Sequence, residues 1–337
     1  MSKYFYTGII FLYCLLFYFC SKVDLKQKRT GPYLGEIPPD TTAKLFAPGF
    51  ISTGLSTRDI TISPDGNEIY FCAGIGNNTF MTTLFTRKIN NVWTEPEIIP
   101  FARNLKYFTV EPCFSADGQR LYFASNRPDS LHTGEDSDLW YVQRDGSNWG
   151  DPVNLGSKIN STAPEFYPSV TNNGTLYFTR DNIETGISHI YRSHLINGIY
   201  SEPELLPENV NAGRSRYNAF IAPDESFIII PIYGLPDSYG GTDYYVCFHN
   251  TNDEWSEPIN LGDKVNSKSR WEYSASLSPD GKYLFFMSGK TDTSLVTQHD
   301  IITMKDLHQL AEKPENGNPD IYWINAAFIS KLKPEGF

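Results

Sequence analysis

One turn, repeated five times, governs what this chain can fold into. Ser63-Pro64-Asp65-Gly66 returns as Ser115-Ala116-Asp117-Gly118, Thr171-Asn172-Asn173-Gly174, Ala222-Pro223-Asp224-Glu225 and Ser278-Pro279-Asp280-Gly281, at spacings of 51 to 56 residues. An apolar run follows each copy: Ile69-Tyr70-Phe71, Leu121-Tyr122-Phe123, Leu176-Tyr177-Phe178, Ile228-Ile229-Ile230 and Leu284-Phe285-Phe286. Self-similarity at so long a period is the signature of a repeat architecture. In a type I turn Pro suits the second position, and the closing Gly takes the left-handed conformation. Each copy therefore predicts a hairpin. Glu225 stands where that Gly is wanted, a strain of about 1 kcal/mol.

The rest of each period is equally ordered. A third strand is expected at Asp138-Leu139-Trp140-Tyr141-Val142, His189-Ile190-Tyr191 and Asp243-Tyr244-Tyr245-Val246. A second signature, Trp93-Thr94-Glu95-Pro96, recurs as Trp149-Gly150-Asp151-Pro152, Tyr200-Ser201-Glu202-Pro203 and Trp255-Ser256-Glu257-Pro258, and a fourth strand follows each. Pro at its start suits an outer edge, where no ladder donor is missed. The unit is a four-stranded antiparallel sheet that buries both faces only against its neighbours, as a β-propeller blade does. The Pro-bearing strand occurs four times and the turn five times. Ala43-Lys44-Leu45-Phe46-Ala47 can supply the missing outer strand beside Asp320-Ile321-Tyr322-Trp323-Ile324, closing the ring in the last blade without an open edge. The expectation is an all-β propeller of five blades, with six as the alternative, over residues 42–334.

The five turns, their aromatic strands and the closing Asp320–Ile324 with Asn325-Ala326-Ala327-Phe328 resemble the Pro-Asp type of WD-repeat-like propeller found in TolB-like exported proteins. Those propellers usually have six blades. The resemblance implies an exported, non-catalytic scaffold that binds a protein or glycan and needs no cofactor.

The N-terminus fits export. Lys3 precedes an uncharged run from Tyr4 to Cys20, so residues 1–20 read as a signal peptide or lipoprotein signal. Cys20 resembles the lipidated cysteine of bacterial lipoproteins, with Phe19 where such sites carry a small residue. Residues 21–41 then read as a tether. The expected location is the periplasm or cell envelope, with an envelope protein or glycan as partner and membrane contact only through the N-terminal anchor. With 28 Lys and Arg against 39 Asp and Glu, the formal charge of −11 argues against nucleic acid. Cys72, Cys113 and Cys247 fall in separate repeats and read as small buried hydrophobes. The six histidines form no His-x-x-x-His pair, so no metal site is expected.

Function is usually carried by variable loops on a rigid scaffold, and the loops between second and third strands vary most. That places the binding face on the rim opposite the turns. The residues entering the innermost strands there are Arg58, Asp59, Glu111, Glu165, Phe166, Tyr167, Arg216, Tyr217, Asn218, Trp271, Glu272 and Tyr273, of which Arg58, Asp59, Glu111, Glu165, Tyr167, Arg216, Tyr217, Trp271 and Glu272 are the binding candidates. They fit a set of charges that satisfy one another and the buried strand ends around a channel, or a polar pocket with aromatic platforms. An alternative is enzymatic. Five-bladed propellers that hydrolyse glycosides carry three carboxylates near the channel, and Asp59, Glu111 and Glu165 lie on the first three blades. One acid would protonate the leaving oxygen and another would activate water or attack. Counted back from the turn, Asp59 and Glu111 stand seven residues away and Glu165 nine.

Overall fold

The computed structural model describes residues 28–104, 106–128, 136–268, 272–294 and 302–337. Residues 1–27, with the expected signal segment and Cys20, and Trp271 lie outside the described residues. Among these residues no helix is long and apolar enough to cross a membrane.

Five small antiparallel sheets form the ring, as the turn count predicts. In chain order the innermost strands are Ser56–Ile62, Val110–Phe114, Glu165–Val170, the interrupted pair Ser215–Arg216 and Phe220–Ile221, and Ser276–Leu277. The second strands, Glu68–Ile75, Arg120–Ser125, Leu176–Asp181, Phe227–Tyr233 and Tyr283–Ser288, return beside them. Lys44–Leu45 pairs antiparallel with Asp320–Asn325, Lys44 opposite Trp323, so the last blade takes its outer strand from the N-terminal side. That pairing closes the ring.

Alternation along the second strands builds five separate cores, one between each pair of blades. Tyr70 faces the second blade, while Ile69 and Phe71 face the fifth. Leu121 and Phe123 pack toward the first blade, Tyr122 and Ala124 toward the third. A strand buried on both faces needs apolar residues at every position rather than every second one, which explains the uninterrupted apolar runs. The turns behave as their sequences require. Gly66, Gly118, Gly174 and Gly281 have φ between 68° and 88°, and Glu225 adopts φ 60°. The Glu225 side chain accepts from Tyr177 Oη at 3.1 Å and Asn173 Nδ2 at 3.2 Å, tying its strained turn to the third blade.

Residues 28–40 cross the seam between the fifth and first blades. Trp93 Nε1 donates to Gly31 O at 2.8 Å, and Tyr33 packs on Tyr283, Phe285 and Trp323 while its hydroxyl reaches Asp280. The insertion before the last strand carries a short helix, Met304–Glu312, started by a capping box of Thr303 and Asp306.

Candidate functional site

The innermost strands share a local feature that assembles the axis of the ring. Seven residues before the end of each turn, the backbone enters the left-handed region: Asp59 at φ 56°, Glu111 at 61°, Tyr167 at 53°, Asn218 at 50° and Ser274 at 68°. None is Gly. Strand pairing shifts register at this point, between Arg58 and Thr61, Val110 and Cys113, and Phe166 and Ser169. The fourth blade's ladder is interrupted at the same place. Such a bulge takes a backbone N–H out of the ladder and re-aims a side chain. The displaced N–H groups find partners on the preceding blade: Glu111 N on Cys72 Sγ at 3.2 Å, Tyr167 N on Glu111 Oε2 at 2.7 Å, and Asn218 N on Thr179 Oγ1 at 3.0 Å.

The five re-aimed side chains meet. Arg58 Nη1 lies 2.9 Å from Asp59 Oδ2 and 3.2 Å from Glu111 Oε1. Ser274 Oγ donates to Asp59 Oδ1, and Asn218 Nδ2 reaches Glu111 Oε1 at 3.5 Å and Ser274 Oγ at 3.4 Å. Tyr167 Oη donates to Ala275 O at 2.8 Å. Arg58 Nε points at Met81 Sδ, 3.1 Å away, and its guanidinium lies 5.5 Å from the centre of the Tyr273 ring. Asp59 is 4% exposed and Glu111 6%. Although Asp59 Oδ2 sits close to Arg58, no hydrogen is aimed at it, because the guanidinium hydrogen bond goes to Oδ1. Burial pushes the Glu111 carboxyl up to about 7, Arg58 opposes this and Asp59 adds to it. Two carboxyl groups, that of Glu111 raised by burial, are thus held around one cation.

Position nine before the turn behaves differently. It holds Thr57, Thr109, Glu165, Arg216 and Glu272. Glu165 accepts from Ser161 N at 3.0 Å, from Ser161 Oγ and from Arg180 Nε at 2.6 Å. Glu272 does the same with Ser267 N and accepts from Ser288 Oγ. Arg216 donates to the carbonyls of Ala212, Gly213 and Ser188. These side chains staple the connection from the previous blade to the innermost strand. The near-identical segments Asn154–Ser161 and Asn260–Ser267 are the loops that Glu165 and Glu272 hold. The structure therefore brings Asp59, Glu111, Arg58 and Tyr167 together and leaves Glu165, Arg216 and Glu272 outside the cluster. Tyr217 sits beside it, edge-on to Tyr273 at 6.0 Å and bonded to Thr242. Asn218 and Tyr273, read among the residues at the channel mouth, also join the cluster; Ser274 was not singled out from sequence, yet the count of seven reaches it.

A cavity of about 270 Å³ adjoins the axial residues. Asp59, Glu111 and Tyr167 form its floor, and Cys113, Ser169 and Phe220 are among its wall residues. Pro64, Ala116, Asn172, Pro223 and Pro279 surround its far end. It opens among the turns, not on the loop-rich rim where the binding face was expected. The reason is the bulge: residues beyond it lead toward the turns, while Arg58, Tyr273 and Met81 fill the axis on the loop side.

No family model matches the chain, and no curated protein does. Among solved structures the fold is similar to the catalytic domain of a Coprinopsis cinerea GH62 α-L-arabinofuranosidase, at 9% identity over 85% of this chain and 97% of that one, TM-score 0.48. It is similar to a native Bacillus subtilis arabinanase, at 12% identity over 80% and 94%, TM-score 0.48. A thermostable family-43 glycoside hydrolase gives 14% identity over 80% and 89%, TM-score 0.47. At such identities the likeness is one of fold, and no residue role is carried across it. The neighbours named here are glycoside hydrolases, where TolB-like or WD-repeat proteins were expected. The non-catalytic scaffold expected from the resemblance is not kept; the expected export rests on the N-terminal segment, which lies outside the described residues.

Proposed function

We propose that the chain is a glycan-active hydrolase whose reacting pair is Asp59 and Glu111. The observation that carries this reading is the convergence of two carboxyl groups, on equivalent strained positions of adjacent blades, at the floor of a cavity. Left-handed non-glycine residues are costly, about 1–3 kcal/mol each, and cluster where geometry serves a ligand. Oxygens that both lie within 3.2 Å of Arg58 Nη1 are no more than about 6 Å apart. That bound allows the ~5–5.5 Å separation of a retaining pair.

In this mechanism Glu111, its carboxyl pushed up to about 7 by burial, gives its proton to the glycosidic oxygen as the C–O bond breaks. Asp59, whose Oδ2 has no aligned donor, attacks the anomeric carbon. Water then enters, Glu111 takes its proton, and the sugar leaves Asp59 with one hydroxyl added. At rest Arg58 contacts Asp59 and donates a hydrogen bond to Glu111, so a bound sugar must draw Asp59 away from it. Glu165 has no part in this chemistry.

A screen of aryl glycosides and plant or envelope oligosaccharides is expected to show turnover that Glu111→Gln lowers by about 10²–10⁴-fold, the usual contribution of a positioned acid. Turnover retained in the folded Glu111→Gln protein, or inversion of the anomeric configuration by NMR, removes this assignment.

A further inference from the structure

We infer that the glycan reaches Asp59 and Glu111 end-on through the ring of turns, so that a single terminal sugar is released. This rests on the hydrolase reading and adds a direction and a mode of attack to it. The floor is closed on the far side by buried groups. Arg58 is held by both carboxyls, by Met81 and by the Tyr273 ring; Asn218 and Ser274 fill the rest of the axis, and Tyr273 is itself held by Asn78. Arg58, Tyr273, Asn218 and Ser274 are all buried. On the turn side, by contrast, Asp59 and Glu111 line the cavity of about 270 Å³. Small-molecule sites usually measure about 300–1,000 Å³, so this one holds one sugar ring rather than several. A blind cavity cannot let a chain pass through, and an internal bond cannot be brought to its floor. Only a chain end can.

The mouth is shaped by the second positions of the turns. Pro64, Ala116, Asn172, Pro223 and Pro279 are equivalent residues, and four of them carry a larger side chain than Ala116. Ala116 is exposed and makes no part of the axial cluster, so filling it narrows access and leaves the chemistry alone. Cys113 gives a second readout that needs no substrate. It lines the cavity and is partly accessible, whereas Cys72 and Cys247 are buried.

The experiment compares Ala116→Trp with Thr79→Trp, which adds the same bulk to the loop rim beside Asn78. Oligosaccharides labelled at the reducing end are digested and the first products sized. Cys113 is titrated with methylmercury and read by peptide mass, the thiol losing its proton as sulfur binds mercury. The expected result is a free monosaccharide as first product, with kcat/KM and Cys113 labelling both falling at least tenfold in Ala116→Trp and unchanged in Thr79→Trp. Internal fragments, or unchanged kcat/KM in Ala116→Trp while Glu111→Gln remains inactive, overturn the inference and leave the hydrolase reading standing. If no glycan is cleaved the hydrolase reading falls, and the glycan inference falls with it. Labelling still decides the direction of access, because a Cys113 rate slowed only by Thr79→Trp also contradicts it.

Discussion

Glu111 and Glu165 are both buried acids on innermost strands, both pushed up to about 7 by burial, and they serve different ends. Glu165 is wrapped by the loop it holds, with donors from Ser161 N, Ser161 Oγ and Arg180. Glu111 shares its cation with a second carboxylate and faces a cavity. A raised carboxyl is therefore no sign of a site by itself; what distinguishes the two is the company of a second acid and open space. The largest test of this contrast separates activity from stability. Glu111→Gln is expected to cost about 10²–10⁴ in kcat while the melting temperature changes little. Arg180→Met, which strips Glu165 of its charged partner, is expected to cost about 3 kcal/mol of stability or more and to leave kcat per folded molecule intact. Thermal melts beside active-site titration check both. A matching loss of activity in Arg180→Met would erase the distinction.

The pH dependence sharpens the same comparison. Glu111, Glu165, Glu272 and Asp320 all titrate in the native protein near 7, well above their unfolded values. Between roughly pH 4.5 and 7 the native state holds protons that the unfolded chain has released, so stability falls as pH rises through this window. Activity should also fall above about 7, because Glu111 then loses the proton it must donate. Glu165→Gln should flatten part of the stability profile and leave the activity limb in place, measured by denaturant midpoints and kcat/KM across pH.

The ring was legible in the chain because turn chemistry and strand patterning are local. Five turns gave five blades, and the deficit of one Pro-bearing strand gave the closure by Lys44–Leu45. The site was legible only in part. Asp59, Glu111, Tyr167, Asn218 and Ser274 share one register, seven before the turn, and that count is available without any structure. It did not stand out because the five residues differ in chemistry, and repetition of type rather than of backbone conformation is what a sequence displays. The bulge that aims them has no residue signature, since left-handed Glu and Tyr are unusual choices. Its effect on Glu165, two positions earlier, was hidden for the same reason. The direction of the cavity was invisible too, because side chains from other blades, Met81 and Tyr273, decide which half of the axis is filled.

Asp320 tests how closure of the ring departs from the pattern of the other blades. Asp138 and Asp243 begin equivalent third strands and accept from Asn154 Nδ2 and Asn260 Nδ2 of their own outer strands. The fifth blade borrows its outer strand, with Leu45 opposite Tyr322 where those two blades have Asn; Asp320 accepts from Glu315 N, and its Oδ1 has no hydrogen-bond partner among the described residues. Burial and nearby Glu315 push Asp320 up to about 7. Asp320→Asn should then match the parent at pH 5 and exceed it at pH 8 by about 1–3 kcal/mol, since a tenfold change in proton affinity is worth about 1.4 kcal/mol. Equal stabilities at pH 8 would mean that the carboxylate is already satisfied.

Glu225 offers the smallest effect and the finest cut between local strain and contact across blades. At φ 60° it carries the cost that Gly avoids in the four sister turns, about 1–2 kcal/mol. Against this it accepts from Tyr177 and Asn173, bonds of about 0.5–1.5 kcal/mol each. Glu225→Gly relieves the strain, loses both bonds and loosens the unfolded chain, so the net change should lie within about 0.5–1 kcal/mol of zero. Glu225→Ala loses the bonds and keeps the strain, and should be about 1 kcal/mol less stable than Glu225→Gly. If denaturant titration finds the two variants equal, strain at this turn is negligible. The fourth blade would then retain Glu225 for its hold on Tyr177, and the exception to the repeat would be a contact between blades rather than a defect in one.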